Sequence, residues 1–230
     1  MHNNIKSVTF DLDGTLVDTA QDLYLTANEM LMELSLPLLP FSLIEKFIGK
    51  GADNFITRCI LAAAQSEQKV DELFDRGSKL YVDIYSRLNG STAVVYPGVR
   101  EVLQALTRDG YKLAVVTNKP TQFCHSLLEN LGLINYFDAV VSGGSTAALK
   151  PSPIPILFAC RKIKSKASMN AHIGDSISDI NAARSAGSRA IGVSYGYSSD
   201  HPLSTINCDL LISSFDQIYP TITQYSFHGN

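Results

Sequence analysis

The chain contains no tryptophan, and its four cysteines, Cys59, Cys124, Cys160 and Cys208, stand far apart with no Cys-x-x-Cys pair. That spacing excludes a disulfide scaffold and predicts reduced, mostly buried thiols in a cytosolic protein. Long apolar runs are also missing. None approaches the ~20 residues that would cross a bilayer, so no membrane partner is expected. Residues 1–6 run directly into a strand pattern, which leaves no room for a signal peptide. Nor is there a basic excess: 19 Lys and Arg against 22 Asp and Glu give a formal charge of -3, too little positive field for nucleic acid or an anionic membrane. The same balance gives an anionic substrate no general help, so a phosphate site must rest on a few local cations and backbone N–H groups. What is present, 45% hydrophobic and 18% charged residues over 230 positions, is ordinary for a soluble enzyme of one large domain or two modest ones. A cytoplasmic monomer or homodimer acting on a small molecule is expected.

Ile5-Lys-Ser-Val-Thr-Phe-Asp11 reads as a buried strand ending on a carboxylate. From Thr19 the period turns helical, with Leu23, Ala27, Met30, Leu31 and Leu34 on one face and a capping box expected between Thr19 and Asp22. Helical stretches at 41–48, 51–67 and 68–88 follow without a convincing strand. Beyond Asn89-Gly90, strands at 112–117, 139–142, 171–175 and 189–193 alternate with helices, the first opened by Pro97 and stopped by Gly110, the others at 121–131, 153–163 and 179–186. This alternation predicts an α/β fold: a Rossmann-like parallel sheet with helices on both faces, binding ligands beyond the carboxyl ends of its strands. The predicted organisation is an α/β core of residues 1–17 and 91–230, with an all-helical cap, residues 18–90, inserted after the first strand and suited to act as a lid.

Four short segments fall on one rim of that sheet: Asp11-Leu-Asp13-Gly-Thr15, Thr117-Asn118, Lys150-Pro151, and Gly174-Asp175-Ser-Ile-Ser-Asp179. Singly, each has a bland reading as a turn, a helix cap or a solvated loop charge. Jointly they match what a phosphomonoester requires. Its dianion repels carboxylates until a metal neutralises it, and Mg²⁺ prefers a few carboxylates with water and substrate phosphate, which Asp11, Asp13 and Asp175 can supply. Asp11 needs no activating base, since a carboxylate of ordinary pKa, roughly 3.9, is already ionised at neutral pH, and so suits a nucleophile. Asp13, in a Gly-containing turn, suits a general acid that protonates the leaving oxygen and then a base towards water. Thr117 and Asn118 are candidate phosphate donors, and Lys150 is the one cation expected to balance developing charge. Asp179 is expected behind the metal, orienting a bound water or pairing with Lys150.

Asp-Leu-Asp-Gly-Thr-Leu-Val-Asp-Thr (11–19), Val-Val-Thr-Asn-Lys-Pro (115–120), Lys-Pro-Ser-Pro (150–153) and Ile-Gly-Asp-Ser-Ile-Ser-Asp-Ile (173–180) resemble the four signature motifs of the haloacid dehalogenase superfamily, in order and at normal spacing. Ile-Gly-Lys-Gly-Ala-Asp (48–53) and Ser-Tyr-Gly-Tyr (194–197) extend the resemblance to its phosphoglycolate phosphatase-like branch, over nearly the whole chain. The resemblance implies a nucleophile at Asp11, an acid/base at Asp13, and Mg²⁺ on Asp11, the Asp13 carbonyl and Asp175. The function it implies first is hydrolysis of 2-phosphoglycolate through a phospho-aspartate. The same scaffold also serves phosphatases for sugar phosphates, nucleotides or pyrophosphate, and phosphosugar mutases. A non-enzymatic phospho-receiver module is disfavoured by the chain's length and its helical insertion. For a substrate carboxylate, Lys50, between two glycines, and Arg58 are the expected cap donors. The chain departs from the branch pattern at Ser145, Ser152 and His172, where a hydrogen-bonded strand histidine is expected.

Overall fold

The computed structural model describes residues 5–197 and 208–224; residues 1–4, which the expectation about a signal peptide concerns, lie outside them. In chain order the described residues form β1 (Ser7–Phe10), β2 (Val17–Asp18), α1 (Ala20–Glu33), α2 (Phe41–Ile44), α3 (Ala52–Ala64), α4 (Glu67–Leu88), β3 (Val94–Val95), α5 (Val99–Arg108), β4 (Lys112–Pro120), α6 (Thr121–Asn130), β5 (Ala139–Gly143), α7 (Ile154–Lys162), β6 (Asn170–Gly174), α8 (Ile177–Ala186), β7 (Arg189–Val193), β8 (Leu210–Ile212) and α9 (Ile218–Gln224). No helix among them is long and apolar enough to cross a membrane.

A strand buried on both faces belongs inside a parallel sheet, and every residue of β1 is buried. It lies within the six-stranded order β5-β4-β1-β6-β7-β8, all pairs parallel. Side chains alternate across the sheet. Leu113 and Val115 of β4 pack with residues of α5, α6 and α9, while Ala114 and Val116 pack with those of α7 and α8. The sheet is thus covered on both faces, as expected for an α/β fold. The register sets Phe10 opposite both Val115 and Ile173. The three central strands therefore end nearly level, and Asp11, the end of β4 and Asp175 emerge at one edge.

The helices α1 to α4 leave after β2 and return at β3, and these two short strands pair antiparallel. Leu23, Met30, Ile44, Phe55, Ile60, Tyr81 and Tyr85 build a hydrophobic cluster of their own. It reaches the sheet region through Phe123, which stands edge-on to Tyr85 with ring centroids 4.7 Å apart.

Two local expectations are corrected. Thr19 and Asp22 do not form a capping box: α1 has no side-chain cap. The Thr19 hydroxyl donates to Asp13 at 2.7 Å, and Asp22 accepts from the Gly90 and Thr92 N–H groups and from the Ser91 and Thr92 hydroxyls. The reciprocal capping box belongs instead to Ser176 and Asp179 at the start of α8. The expected helix across 51–67 ends at Ala64, where Gln65 adopts a left-handed conformation (φ 53°) and Ser66 caps α4. All four cysteines are free thiols, three of them buried.

Candidate active site

Asp11 follows the last residue of β1, and its N–H donates to the Ile173 carbonyl at 2.9 Å, so it stands at the carboxyl edge of the sheet. Its carboxylate is buried, accepts the Leu12 N–H at 2.7 Å, and lies 2.9 Å from the Lys150 ammonium. Lys150 also reaches Asp179 at 2.6 Å and the Val116 carbonyl at 2.6 Å. The expected pairing of Asp179 with Lys150 is present.

Asn118 fastens this lysine to β4. Its amide oxygen accepts the Lys150 N–H at 2.9 Å, and its amide nitrogen donates to the carbonyls of Lys150 and Gly49. The Asn118 side chain is therefore committed to backbone rather than held open for a ligand. Thr117 accepts the Lys119 N–H at 3.2 Å, which leaves the hydroxyl proton to donate.

Asp175 accepts from the Thr15 hydroxyl at 3.3 Å and the Tyr197 N–H at 2.7 Å. Backbone packs tightly around it: a Cβ added at Gly14 would lie 2.4 Å from an Asp175 oxygen, and one at Gly196 would lie 2.5 Å from it. Gly14 also has φ +82°, so the turn carrying Asp13 both needs and has a glycine.

Behind these groups, Asp179 is anchored by four hydrogen bonds from three residues. His172 contributes Nε2 at 3.0 Å and Lys150 its ammonium, while Ser176 donates through both N–H and hydroxyl. His172 is fully buried in β6 and takes the Thr9 hydroxyl at its other nitrogen. The strand-histidine expectation holds, but its contact with Asp179 was not foreseen.

Electrostatically, the Lys150 ammonium pairs with Asp11 and Asp179, while Asp175, buried beside them, has no cationic partner among the described residues. Ligand oxygens of Asp11, Asp175 and Asp179 lie within 4.8 Å of one another. Burial pushes Asp11 up to about 7 despite Lys150, and burial with the neighbouring Asp179 and Asp11 charges raises Asp175 well above the usual carboxylate range. Burial opposes ionisation of Asp179 too, but Lys150 and His172 hold it below that range. Burial lowers the His172 pKa, favouring the neutral ring. This excess of negative charge fits a divalent cation. Asp179's oxygens are already engaged four times, so Asp11 and Asp175 are the better-placed ligands.

Asp13 has different partners. It accepts from Thr19 and from Lys119, whose ammonium is 3.0 Å away. Lys119, with a side chain only 2% exposed, is a second buried cation at the site beside the expected Lys150. It also donates to the hydroxyl of Tyr85 on α4 and lies 4.7 Å from that ring's centre. A pocket opens over Asp11, Asp13, Thr117 and Lys119 on the sheet side and is closed by Gly49, Gly51, Phe55 and Tyr81 on the helical side.

Neither expected cap donor lines this pocket. Lys50 borders an adjoining groove with Asp53 and residues 146–149. Arg58 donates to the Lys46 carbonyl at 2.8 Å and stacks over Phe47 at 4.3 Å.

A family profile described as haloacid dehalogenase-like hydrolase matches residues 8–193. A phosphoglycolate phosphatase of Nitrosospira multiformis is 41% identical over 210 residues, covering 91% of this chain and 92% of its own. The plasmid phosphoglycolate phosphatase of Cupriavidus necator is 39% identical over 217 residues, covering 94% and 93%. Among solved structures, one described as a predicted phosphoglycolate phosphatase of Haemophilus somnus superposes with a TM-score of 0.90 at 33% identity, covering 97% of this chain and all of that one.

Proposed function

The chain belongs to the haloacid dehalogenase-like hydrolases and is a phosphatase; from that premise we propose that it hydrolyses 2-phosphoglycolate through a phospho-aspartate on Asp11, with Mg²⁺ as cofactor. The observation that carries the reading is the placement of Asp11. It is buried beside Lys150 and Asp175 on one side, while the pocket it opens into also holds Asp13.

An Asp11 oxygen attacks phosphorus and the ester P–O bond breaks, the leaving oxygen taking a proton from Asp13. Water then attacks the phospho-aspartate, Asp13 accepts its proton, and the Asp11 carboxylate returns with release of phosphate. Lys150 balances charge on the phosphoryl oxygens from behind Asp11, while the Thr117 hydroxyl offers them a hydrogen bond. Asn118 acts by holding Lys150. Asp11, Asp175 and the Asp13 carbonyl would hold Mg²⁺, which when bound offsets the charge of substrate and carboxylates. Asp179, fixed by His172 and Ser176, keeps Lys150 in register.

We assign residues 18–90 as a cap over a core of 1–17 and 91–230. The separate hydrophobic cluster of α1 to α4 supports this, as does its attachment through the β2–β3 pair. As a lid it would shut water from the pocket. Phosphate release from a panel of phosphomonoesters with Mg²⁺ tests the substrate, and mass spectrometry of acid-quenched enzyme tests the intermediate. Phosphoglycolate should rank among the best substrates, and the added phosphoryl mass should map to the peptide containing Asp11. A sugar phosphate, nucleotide or pyrophosphate ranking clearly above it, or isomerisation of a sugar phosphate without net phosphate release, would overturn the assignment.

A further inference from the structure

We propose that Lys119 is the residue that recognises the second anionic group of the substrate, the carboxylate opposite the phosphate. The inference rests on the phosphoglycolate reading and supplies what that reading lacks, a cation inside the pocket. Among the described residues lining it, Lys119 is the one basic side chain. Lys50 and Arg58 lie elsewhere, and Lys150 is enclosed between Asp11 and Asp179.

The placement follows the chemistry of the ester. Asp13 serves the ester oxygen, and the carboxylate carbon of phosphoglycolate is two covalent bonds from that oxygen. A cation 3.0 Å from Asp13 therefore stands on the leaving-group side, where the carboxylate arrives. An ammonium has three protons. Asp13 and Tyr85 take two of them, and the third is available to a ligand. The surroundings strengthen the contact: Tyr85 presents its ring to the ammonium, and apolar walls lower the local dielectric, so a carboxylate there gains more than at an exposed lysine. Because Tyr85 belongs to α4, the helical segment and the sheet hold this cation jointly.

The alternative is that Lys119 serves only to hold Asp13, which would affect every substrate alike. Comparing 2-phosphoglycolate with 2-hydroxyethyl phosphate, in which a neutral hydroxymethyl group replaces the carboxylate, separates the two. The wild-type enzyme should favour phosphoglycolate in kcat/KM. In K119M that preference should fall about 10- to 100-fold, the range of one charge-assisted hydrogen bond, mainly through KM for phosphoglycolate. K119R should restore part of it, and K119Q repeats the test with a polar but uncharged side chain should K119M not fold. A preference kept in K119M or K119Q, even with both activities reduced, overturns the role of Lys119 and leaves the phosphoglycolate assignment standing. A wild-type enzyme that hydrolyses both esters equally well also overturns the role of Lys119, whereas phosphoglycolate falling clearly below other phosphomonoesters overturns the reading on which it rests.

Discussion

Replacing Asp11 with asparagine should abolish turnover and yet stabilise the metal-free protein. In the folded state the Asp11 pKa is pushed from an ordinary 3.8 to about 7, burial outweighing the attraction of Lys150. The folded form thus binds this proton more tightly than the unfolded chain does. Its contribution to stability is complete below pH 3.8, is lost as pH climbs towards 7, and is then level. The full loss is about 4 kcal/mol, of which roughly 2 kcal/mol is already lost at pH 5.5. Asparagine has nearly the same shape and no charge to bury. Without metal, Asp11→Asn should therefore gain on the order of 2–4 kcal/mol over wild type at pH 8.5 and about half of that at pH 5.5. Urea denaturation in excess chelator at both pH values measures it. If Asp11 is a metal ligand as proposed, added Mg²⁺ should then narrow the gap, because wild type would gain about 2.7 kcal/mol at a free concentration 100 times its dissociation constant, while the variant would lack that ligand. A variant less stable than wild type at pH 8.5 in chelator would refute the charge-excess argument. Residual phosphate release would separately refute Asp11 as the nucleophile.

Asp22→Ala should cost about 2 kcal/mol in urea denaturation, because it removes a fully buried carboxylate that accepts four hydrogen bonds from Gly90, Ser91 and Thr92; a loss below about 0.5 kcal/mol would show that water replaces the carboxylate without penalty. Gly174→Ala should lower kcat at least 100-fold and stability by more than about 2 kcal/mol. Its Cβ would fall 2.2 Å from the Asp179 side-chain carbon, driving that carboxylate off Lys150; near-normal steady-state kinetics would show that the Lys150–Asp179 geometry is not required.

Periodicity made the architecture readable because the two parts of the chain obey different spacings. The fully buried β1 and the alternating faces of β4 mark a covered parallel sheet, while the apolar stripe of α1 marks a helical unit. The short elements were not readable. β2 and β3 have two residues each, too few to show a period, and β8 is a three-residue strand added beyond β7. The Thr19–Asp22 spacing fits a capping box as a local pattern. Both side chains have more demanding tertiary partners, and no local pattern reveals that competition.

The site was readable as far as motif residues sit at strand ends, and it failed at Lys119 for a definable reason. In a regular strand, consecutive residues face opposite sides, so three in a row after Val116 would not all serve one pocket. The pairing of β4 with β5 is irregular here: its register shifts between Val116 and Pro120. An irregularity of this kind re-aims side chains near a sheet edge. Thr117, Asn118 and Lys119 are accordingly all buried and all border the pocket. Without the shift, Lys119 would read as the solvated residue that a lysine near a strand end usually is. With it, the ammonium lies between Asp13 and Tyr85, where its charge is useful only to something that enters the pocket or to Asp13 itself. On the proposed reading, two different lysines divide the work: Lys150, held by Asp11 and Asp179, would serve the phosphate, and Lys119, held by Asp13 and Tyr85, the leaving-group side.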